Sequence, residues 1–254
     1  MKNCHRTLLI LATASVWLAT IVNPANAQTD PIREWKVSKN LTIRQVRPGV
    51  WVHTSWRKLD NGIDFPSNGL LVRNKGELVL IDTAWGTDIT KELLEWIDSE
   101  IRLPVAIAIV THFHDDSMGG APVLAARGIR FVGLPLTRAL GKNAEGPLPE
   151  SIGDLQVGDV VSVANVEVFY PGPGHSKDNL VVWVPEAEVL FGSCAVRSPA
   201  FPGTGNTADA DLAGWPEAIG RVQKRYPNAK IVVPGHGPPG DASLLSHTIR
   251  LFKH

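Results

Sequence analysis

Six side chains of metal-binding type follow the ends of apolar segments in this 254-residue sequence. Imidazole, carboxylate and thiolate groups are costly to bury unless a metal ion or a polar partner satisfies them. Histidine, aspartate and cysteine are also the side chains that bind zinc in proteins. We therefore predict a two-zinc hydrolase, whose candidate ligands are His112, His114, Asp116, His175, Cys194 and His236.

The six candidates divide into two sets of three. Three neutral imidazoles with an open fourth position are typical of catalytic zinc, because structural zinc takes four protein ligands. The other set carries two negative ligands, one of them a soft sulfur, which suits zinc better than magnesium or calcium. The first set is His112, His114 and His175, and the second is Asp116, Cys194 and His236.

Each candidate also has a simpler interpretation. A lone histidine beside glycines is more often a hydrogen-bonded turn residue than a ligand, and a buried cysteine is often an inert small hydrophobe. The common placement of the four ligand-bearing segments favours metal binding, because each follows a predicted strand and ligands collect at such ends. By contrast His53, His247 and His254 lack a glycine loop, and we interpret them as structural or solvated.

Apolar patterning predicts the elements that position these side chains. An antiparallel meander opens the chain, an amphipathic helix follows from Thr87, and strands then alternate with helices. This order predicts an α/β fold of two packed sheets with helices outside. The predicted strands are 41–46, 50–56, 70–72, 78–81, 105–110, 166–170, 180–184, 189–191 and 231–233, and the predicted helices are 87–101, 136–142, 211–226 and one from Ser243.

The N-terminus has the pattern of an export signal. Basic residues precede an apolar stretch at positions 8–22, which is too short to span a bilayer, and a small-residue cleavage site ends at Ala27. We expect residues 1–27 to be cleaved and residues 28–254 to form one exported catalytic domain. Removing Lys2 and Arg6 leaves 23 basic against 25 acidic residues, a net charge of −2. Nucleic-acid binding and stable membrane association are therefore not expected.

Cys194 is the single thiol that remains after the leader is removed, so no internal disulfide can form. A lone thiolate in an oxidising compartment is protected while a metal covers it. We expect Cys194 to oxidise when zinc is scarce.

Together these motifs resemble a class B β-lactamase, a metallo-β-lactamase of the broad-spectrum two-zinc subclass with a cysteine ligand. The resemblance covers nearly all of residues 28–254. Besides the ligand loops, it rests on the segments Pro66-Ser67-Asn68-Gly69, Leu80-Ile81-Asp82-Thr83-Ala84-Trp85-Gly86, His175-Ser176-Lys177-Asp178-Asn179, Gly205-Asn206 and Pro234-Gly235-His236-Gly237.

The resemblance implies an αββα four-layer sandwich, a periplasmic location and hydrolysis of penicillins, cephalosporins and carbapenems. We expect the protein to act as a monomer. It implies two zinc ions, a zinc-bound hydroxide as nucleophile and no covalent intermediate. His112, His114 and His175 would hold the first ion. Asp116, Cys194 and His236 would hold the second, and Asp116 would also position the hydroxide.

Substrate contacts are implied in the same way. Asn206 matches the asparagine that polarises the substrate carbonyl, and Arg197 stands where the family often has a lysine that binds the substrate carboxylate. We expect a mobile flap over residues 57–65, with Phe65 and Trp85 as apolar walls; ordinary edge packing is the alternative. Asp82 is either a carboxylate behind the ligands or a strand-end cap.

Two other functions remain open. A related hydrolase could use the same metal pair on lactones or glutathione thioesters, but such relatives tend to have histidine where Ser117 stands and to lack the cysteine. A periplasmic zinc-binding protein without catalysis would use the same six ligands in closed coordination.

Overall fold

A computed structural model of the chain describes residues 33–144, 146–201 and 203–252. Within these ranges the strands are β1 (Glu34–Lys36), β2 (Leu41–Arg47), β3 (Val50–Lys58), β4 (Asp64–Asn74), β5 (Glu77–Ile81), β6 (Val105–Ile109), β7 (Arg130–Gly133), β8 (Glu150–Ser151), β9 (Val160–Val163), β10 (Val166–Phe169), β11 (Val181–Val184), β12 (Val189–Ser193) and β13 (Ile231–Pro234). The α-helices are α1 (Thr87–Trp96), α2 (Asp115–Met118), α3 (Ala121–Ala126), α4 (Pro135–Leu140), α5 (Trp215–Arg225) and α6 (Ser243–Phe252).

The strands form two mixed sheets. Strands β1 to β8 follow one another in sequence order, antiparallel as far as β5 and parallel from β5 to β8. The second sheet has the order β13-β12-β11-β10-β9, and its single parallel pair is β12 with β13. Parallel neighbouring strands end at the same edge of a sheet. The loops that follow β5 and β6 therefore lie at one edge of the first sheet, and those that follow β12 and β13 lie at one edge of the second.

Three apolar clusters separate four layers. The inner cluster lies between the sheets and includes Val52, Leu70 and Phe191. One outer cluster packs α1 and α3 on the first sheet, and the other packs α5 and α6 on the second. Three interfaces between four layers are the αββα arrangement, so the predicted α/β sandwich is confirmed.

The hairpin of β3 and β4 differs from the sequence prediction. Strand β4 begins at Asp64, whereas apolar patterning places its start at Leu70, and the expected turn at 66–69 pairs with β3 instead. The segment reads as a turn because its residues are polar, proline or glycine. Contacts remote in sequence make it a strand: the Asn68 N–H donates to Gly235 O at 2.8 Å. The hairpin tip is therefore limited to residues 59–63.

Other elements were missed because they are short or weakly apolar. The sequence pattern did not predict β1, β7, β8 or β9, each of four residues or fewer. Helix α5 begins at Trp215, four residues later than predicted, since residues 207–214 form turns ahead of it. The predicted leader lies outside the described residues. Among the described residues, no helix combines the length and the apolar character needed to cross a membrane.

Candidate metal centre

All four ligand-bearing segments follow strands of the inner layers. The loop with His112 and His114 leaves β6, and the loop with His175 leaves β10. Cys194 directly follows β12, and His236 lies two residues beyond β13. These ends meet at one edge of the sandwich, as the sequence pattern predicts. The structure brings all six candidate ligands together there.

The three-histidine set, His112, His114 and His175, is compact. Their candidate ligand atoms lie within 4.8 Å of one another, and His114 Nδ1 is 3.0 Å from His175 Nε2. Buried His112 Nε2 has no hydrogen-bond partner among the described residues. Burial, the largest cause, lowers the pKa of His175 well below its usual value and also lowers that of His114. His114 and His175 are therefore neutral near pH 7, which is the form that binds metal. For His112, burial opposes protonation, but the neighbouring Asp116 carboxylate raises its pKa.

Asp116 joins the second set to the first. One of its carboxylate oxygens lies 3.4 Å from His112 Nε2. The other lies 3.3 Å from both His236 Nε2 and Cys194 Sγ, and that sulfur is 3.2 Å from His236 Nε2. His112, Asp116 and Cys194 offer ligand atoms within 4.8 Å of one another. This set of nitrogen, oxygen and sulfur donors fits zinc.

In the second set, the pKa of the Asp116 carboxyl group and the pKa of the Cys194 thiol are shifted in opposite directions. Burial alone would raise the pKa of Asp116, but the His112 imidazole 3.4 Å away and the nearby His236 hold it well below its usual range. Burial and the neighbouring Asp116 carboxylate raise the pKa of the Cys194 thiol well above its usual value. Metal binding here must therefore displace a thiol proton.

Burial and the raised thiol pKa oppose the expected oxidation of metal-free Cys194, and that expectation stays a prediction. Oxidation proceeds through the thiolate and requires access to it. Cys194 is buried, and without metal its side chain is a protonated thiol. Burial of this kind is what the sequence alone could not show.

The ligand rings are oriented by partners outside the two sets. His114 Nε2 lies 2.9 Å from Asp209 Oδ2, and the His236 Nδ1–H donates to Pro66 O at 2.7 Å. The Asn68 amide donates to Pro234 O at 2.9 Å and to Gly237 O at 2.7 Å, which fixes the His236 loop from both sides. Second partners of this type set the tautomer and orientation of metal-binding histidines. The sequence pattern gives no signal for Asp209, because this residue stands in an ordinary polar loop.

A buried polar network, here called the floor, lies behind the ligands and consists of Asp82, Thr111, Ser117 and Ser193. Asp82 accepts hydrogen bonds from Thr111 N and Thr111 Oγ1, each at 2.7 Å, and from Ser117 Oγ. Thr111 Oγ1 lies 2.7 Å from Ser193 Oγ, so the floor connects the His112 loop to the residue before Cys194. These contacts favour the interpretation of Asp82 as a carboxylate behind the ligands. Burial raises the pKa of Asp82 to about 6.

His53 lies beneath the floor in β3, opposite Gly69 in β4. It is fully buried against the backbone of Ile81 and Asp82, and neither ring nitrogen has a hydrogen-bond partner among the described residues. Burial lowers the pKa of His53 to about 4. This neutral, enclosed ring agrees with the structural role expected from the sequence.

The exposed side of the site, here called the rim, is formed by Arg57, Trp85 and Asp115. Arg57 forms an ion pair with Asp115, and the Trp85 Nε1–H donates to the same carboxylate at 3.1 Å. The Arg57 guanidinium lies 5.7 Å from the Trp85 ring centroid. The rim thus ties the base of the 59–63 hairpin tip to the residue between His114 and Asp116. A groove of about 1310 Å³ borders the rim beside the start of α1.

Four residues were predicted to contact substrate. Phe65 packs on His236 with ring centroids 4.8 Å apart, and Trp85 lies 6.3 Å from the same ring, so both border the second ligand set. Arg197 is buried, and its guanidinium lies against Gly205, where a Cβ would be 2.7 Å from Nη2. Asn206 is exposed on the loop that carries Asp209, and its Oδ1 accepts the Ala208 N–H at 3.1 Å.

Comparison with known proteins agrees with this geometry. Residues 62–236 match the family model of the metallo-beta-lactamase superfamily. A metallo-beta-lactamase type 2 from Bacillus cereus is 41% identical over 235 residues, covering 90% of this chain and 91% of the relative. A metallo-beta-lactamase structure from Pontibacter korlensis is 42% identical, with a TM-score of 0.77 over 84% of this chain and 98% of the other. A mono-zinc crystal structure from Pseudomonas aeruginosa is 35% identical, with a TM-score of 0.80 over 84% and 95%.

The resemblance found in the sequence is therefore confirmed by the family match, by the relatives and by the fold. The identities extend over most of both chains, and the matched segment contains all six candidate ligands. The chain belongs to the metallo-beta-lactamase superfamily and is a hydrolase.

Proposed function

We propose that this protein is a periplasmic β-lactamase that hydrolyses penicillins, cephalosporins and carbapenems and so confers antibiotic resistance. The mature form would be the single domain of residues 28–254, acting as a monomer after cleavage of the leader. The observation that carries the proposal is the contact of Asp116 with His112, His236 and Cys194, which joins a three-histidine set to a cysteine-containing set. The family relationship supports the β-lactam amide as the bond that is cleaved.

We further propose that the site holds two zinc ions. The Pseudomonas aeruginosa relative was crystallised with one, so the number of ions is a property to be measured for this chain. His112, His114 and His175 would hold one ion, and Asp116, Cys194 and His236 the other. When bound, zinc supplies a nucleophile at neutral pH by lowering the pKa of coordinated water to about 7, without a covalent enzyme intermediate.

Asp116 is the residue best placed to orient the reacting groups. Its carboxylate is ionised across the neutral pH range, because His112 and His236 lower its pKa. With one oxygen toward His112 and the other toward Cys194 and His236, it can accept a hydrogen bond from a nucleophile lying between the two sets.

Asn206 is proposed to polarise the substrate carbonyl. Its amide oxygen is engaged by the Ala208 N–H, which leaves the Nδ2 group as the donor toward a ligand. A donor aimed at the developing oxyanion stabilises the transition state more than the substrate.

Arg197 is proposed to bind the substrate carboxylate. Burial lowers its pKa, and its Nε atom has no hydrogen-bond partner among the described residues. A carboxylate would satisfy such a guanidinium by two parallel hydrogen bonds, a geometry that lysine cannot provide.

Apolar groups would surround the rest of the substrate. Ile63 at the hairpin tip is 56% exposed, while Phe65 and Trp85 lie against the ligand His236. Exposed apolar tips beside a site favour recognition of apolar substituents, so we propose that the tip at 59–63 closes over bound substrate.

The test is turnover of a chromogenic cephalosporin, a penicillin and a carbapenem by purified zinc-loaded protein, with a lactone and a glutathione thioester as competing substrates. We expect all three β-lactams to be hydrolysed. His114→Ala should abolish this activity, whereas Asn206→Ala should lower kcat by less than about 10²-fold, since zinc shares the oxyanion charge. Turnover of only the lactone or the thioester would contradict the proposal, and zinc binding without any turnover would favour a zinc-storage role.

A further inference from the structure

Trp215, the first residue of α5, contacts two of the three ligand-bearing loops of the second sheet, those of His175 and Cys194. Its indole N–H donates to Ala195 O at 2.7 Å, and Ala195 follows Cys194 directly. Its ring lies edge-on to His175, with centroids 5.6 Å apart and an interplanar angle of 62°. Trp215 is fully buried, so both contacts are shielded from water.

The same residue is itself held on three sides. Its backbone N–H donates to Asp211 O at 2.9 Å. The backbone N–H of Asp211 in turn donates to the carbonyl oxygen of Gly174, the residue before His175, at 2.8 Å. A Cβ on Gly174 would lie 3.1 Å from Asn179 Oδ1 and 3.2 Å from Trp215 Cδ1, so the loop packs tightly against the ring at this glycine. On the far side, Phe252 of α6 stacks on the indole at 4.1 Å. The indole is thus a fixed spacer between the two loops.

We propose that Trp215 is a positioning residue that holds the Cys194 segment in place relative to His175 and thereby sets the affinity of the cysteine-containing metal site. The indole hydrogen bond is the specific element of this role, because Ala195 O is otherwise a buried acceptor in need of a donor. The inference rests on the two-ion site proposed above.

The chain offers a matched comparison. Trp96 is a second buried tryptophan, packed in the α1 layer on the opposite face of the sandwich. Its Nε1 has no hydrogen-bond partner among the described residues. Replacing Trp96 by phenylalanine removes the same atoms as replacing Trp215 but breaks no bond to a ligand segment.

The experiment titrates metal-free parent, Trp215→Phe and Trp96→Phe proteins with zinc and with cobalt. The cobalt–thiolate charge-transfer band reports ligation by Cys194. Trp215→Phe should lower the affinity of the thiolate-containing site about tenfold. The affinity of the histidine site should change by less than about twofold, because the aromatic contact with His175 is kept. Trp96→Phe should leave both affinities unchanged.

A second replacement guards against a variant that does not fold. Benzothienylalanine incorporated at position 215 keeps the bicyclic shape and lacks only the N–H, and it should reproduce the selective loss. Equal losses at both sites, or lowered thermal stability with both affinities unchanged, would mean that Trp215 is an ordinary core residue. A parent protein without a cobalt–thiolate band would instead contradict the two-ion site itself. None of these readings uses a β-lactam, so the substrate assignment is tested separately.

Discussion

The floor and the rim lie on opposite sides of the same ligands and are built differently. In the floor, Asp82 is 2% exposed and accepts hydrogen bonds from Thr111 at the start of the His112 loop and from Ser193 just before Cys194. In the rim, the side chains of Arg57 and Asp115 are 54% and 53% exposed and contact one loop and the hairpin base. Electrostatic bonds strengthen when water is excluded and weaken when it is not. We therefore expect the floor to control metal binding and stability, and the rim to control substrate preference.

The largest expected effect comes from His53 beneath the floor. Its pKa is about 4 in the folded protein, against 6.5 in an unfolded chain, so the unfolded chain binds a proton first as the pH falls. The free energy of unfolding should therefore drop by about 3 kcal/mol between pH 6.5 and pH 4 on account of this residue. His53→Gln should remove that part of the drop. Denaturant unfolding of metal-free parent and variant across this range measures the difference.

The two proteins should show the same pH dependence above pH 7, where the ring is neutral in both states. Parallel stability curves down to pH 4 would show that His53 takes up a proton in the fold, and the floor would then be wetter than the structure indicates.

A smaller effect is expected from Asp82→Asn. An amide at this position must turn an N–H₂ group toward donors of Thr111, Ser117 or Ser193, which loosens both ligand loops. Metal affinity should fall by about 10- to 100-fold. Competition with a chromophoric chelator measures it, and Asp88→Asn on the exposed face of α1 is the control for the same chemical change. An unchanged metal affinity in Asp82→Asn would contradict the prediction that the floor controls metal binding.

The smallest effect is expected at the rim. Arg57→Ala removes an exposed ion pair, worth less than about 1 kcal/mol, and frees the hairpin base. Stability and metal affinity should hardly change, while KM for β-lactams with bulky substituents should shift by less than about fivefold. The shift should shrink at high salt, because exposed charges are screened. Lys91→Ala, which breaks an exposed pair within α1, is the control. A loss of bound metal in Arg57→Ala would contradict the expectation that the floor, and not the rim, controls metal binding.

The sequence predicted the parts of the site that carry a local signal. Each candidate ligand follows an apolar run, and the α/β layers follow from the periodicity of those runs, so His175 and Cys194 could be matched although they lie 19 positions apart. Asp209 carried no such signal, because its partner His114 is 95 residues away in the chain. The predicted start of β4 was too late for a related reason. Asn68 is polar, and its place in the sheet depends on hydrogen bonds to Pro234 and Gly237, which are remote in sequence. Burial, which decides the protonation of Cys194, emerges only once the layers are assembled.

The close approach of Arg197 to Gly205 has a consequence for how this protein can change. Gly205 has φ +71 and leaves room for the guanidinium where any side chain would intrude. Adding even a methyl group there would push the arginine out of its slot, and shortening the arginine would leave a hollow beneath the loop that bears Asn206. A side chain at position 205 would therefore both strain the backbone and displace Arg197, so the identity of residue 205 constrains the arginine and the loop that bears Asn206.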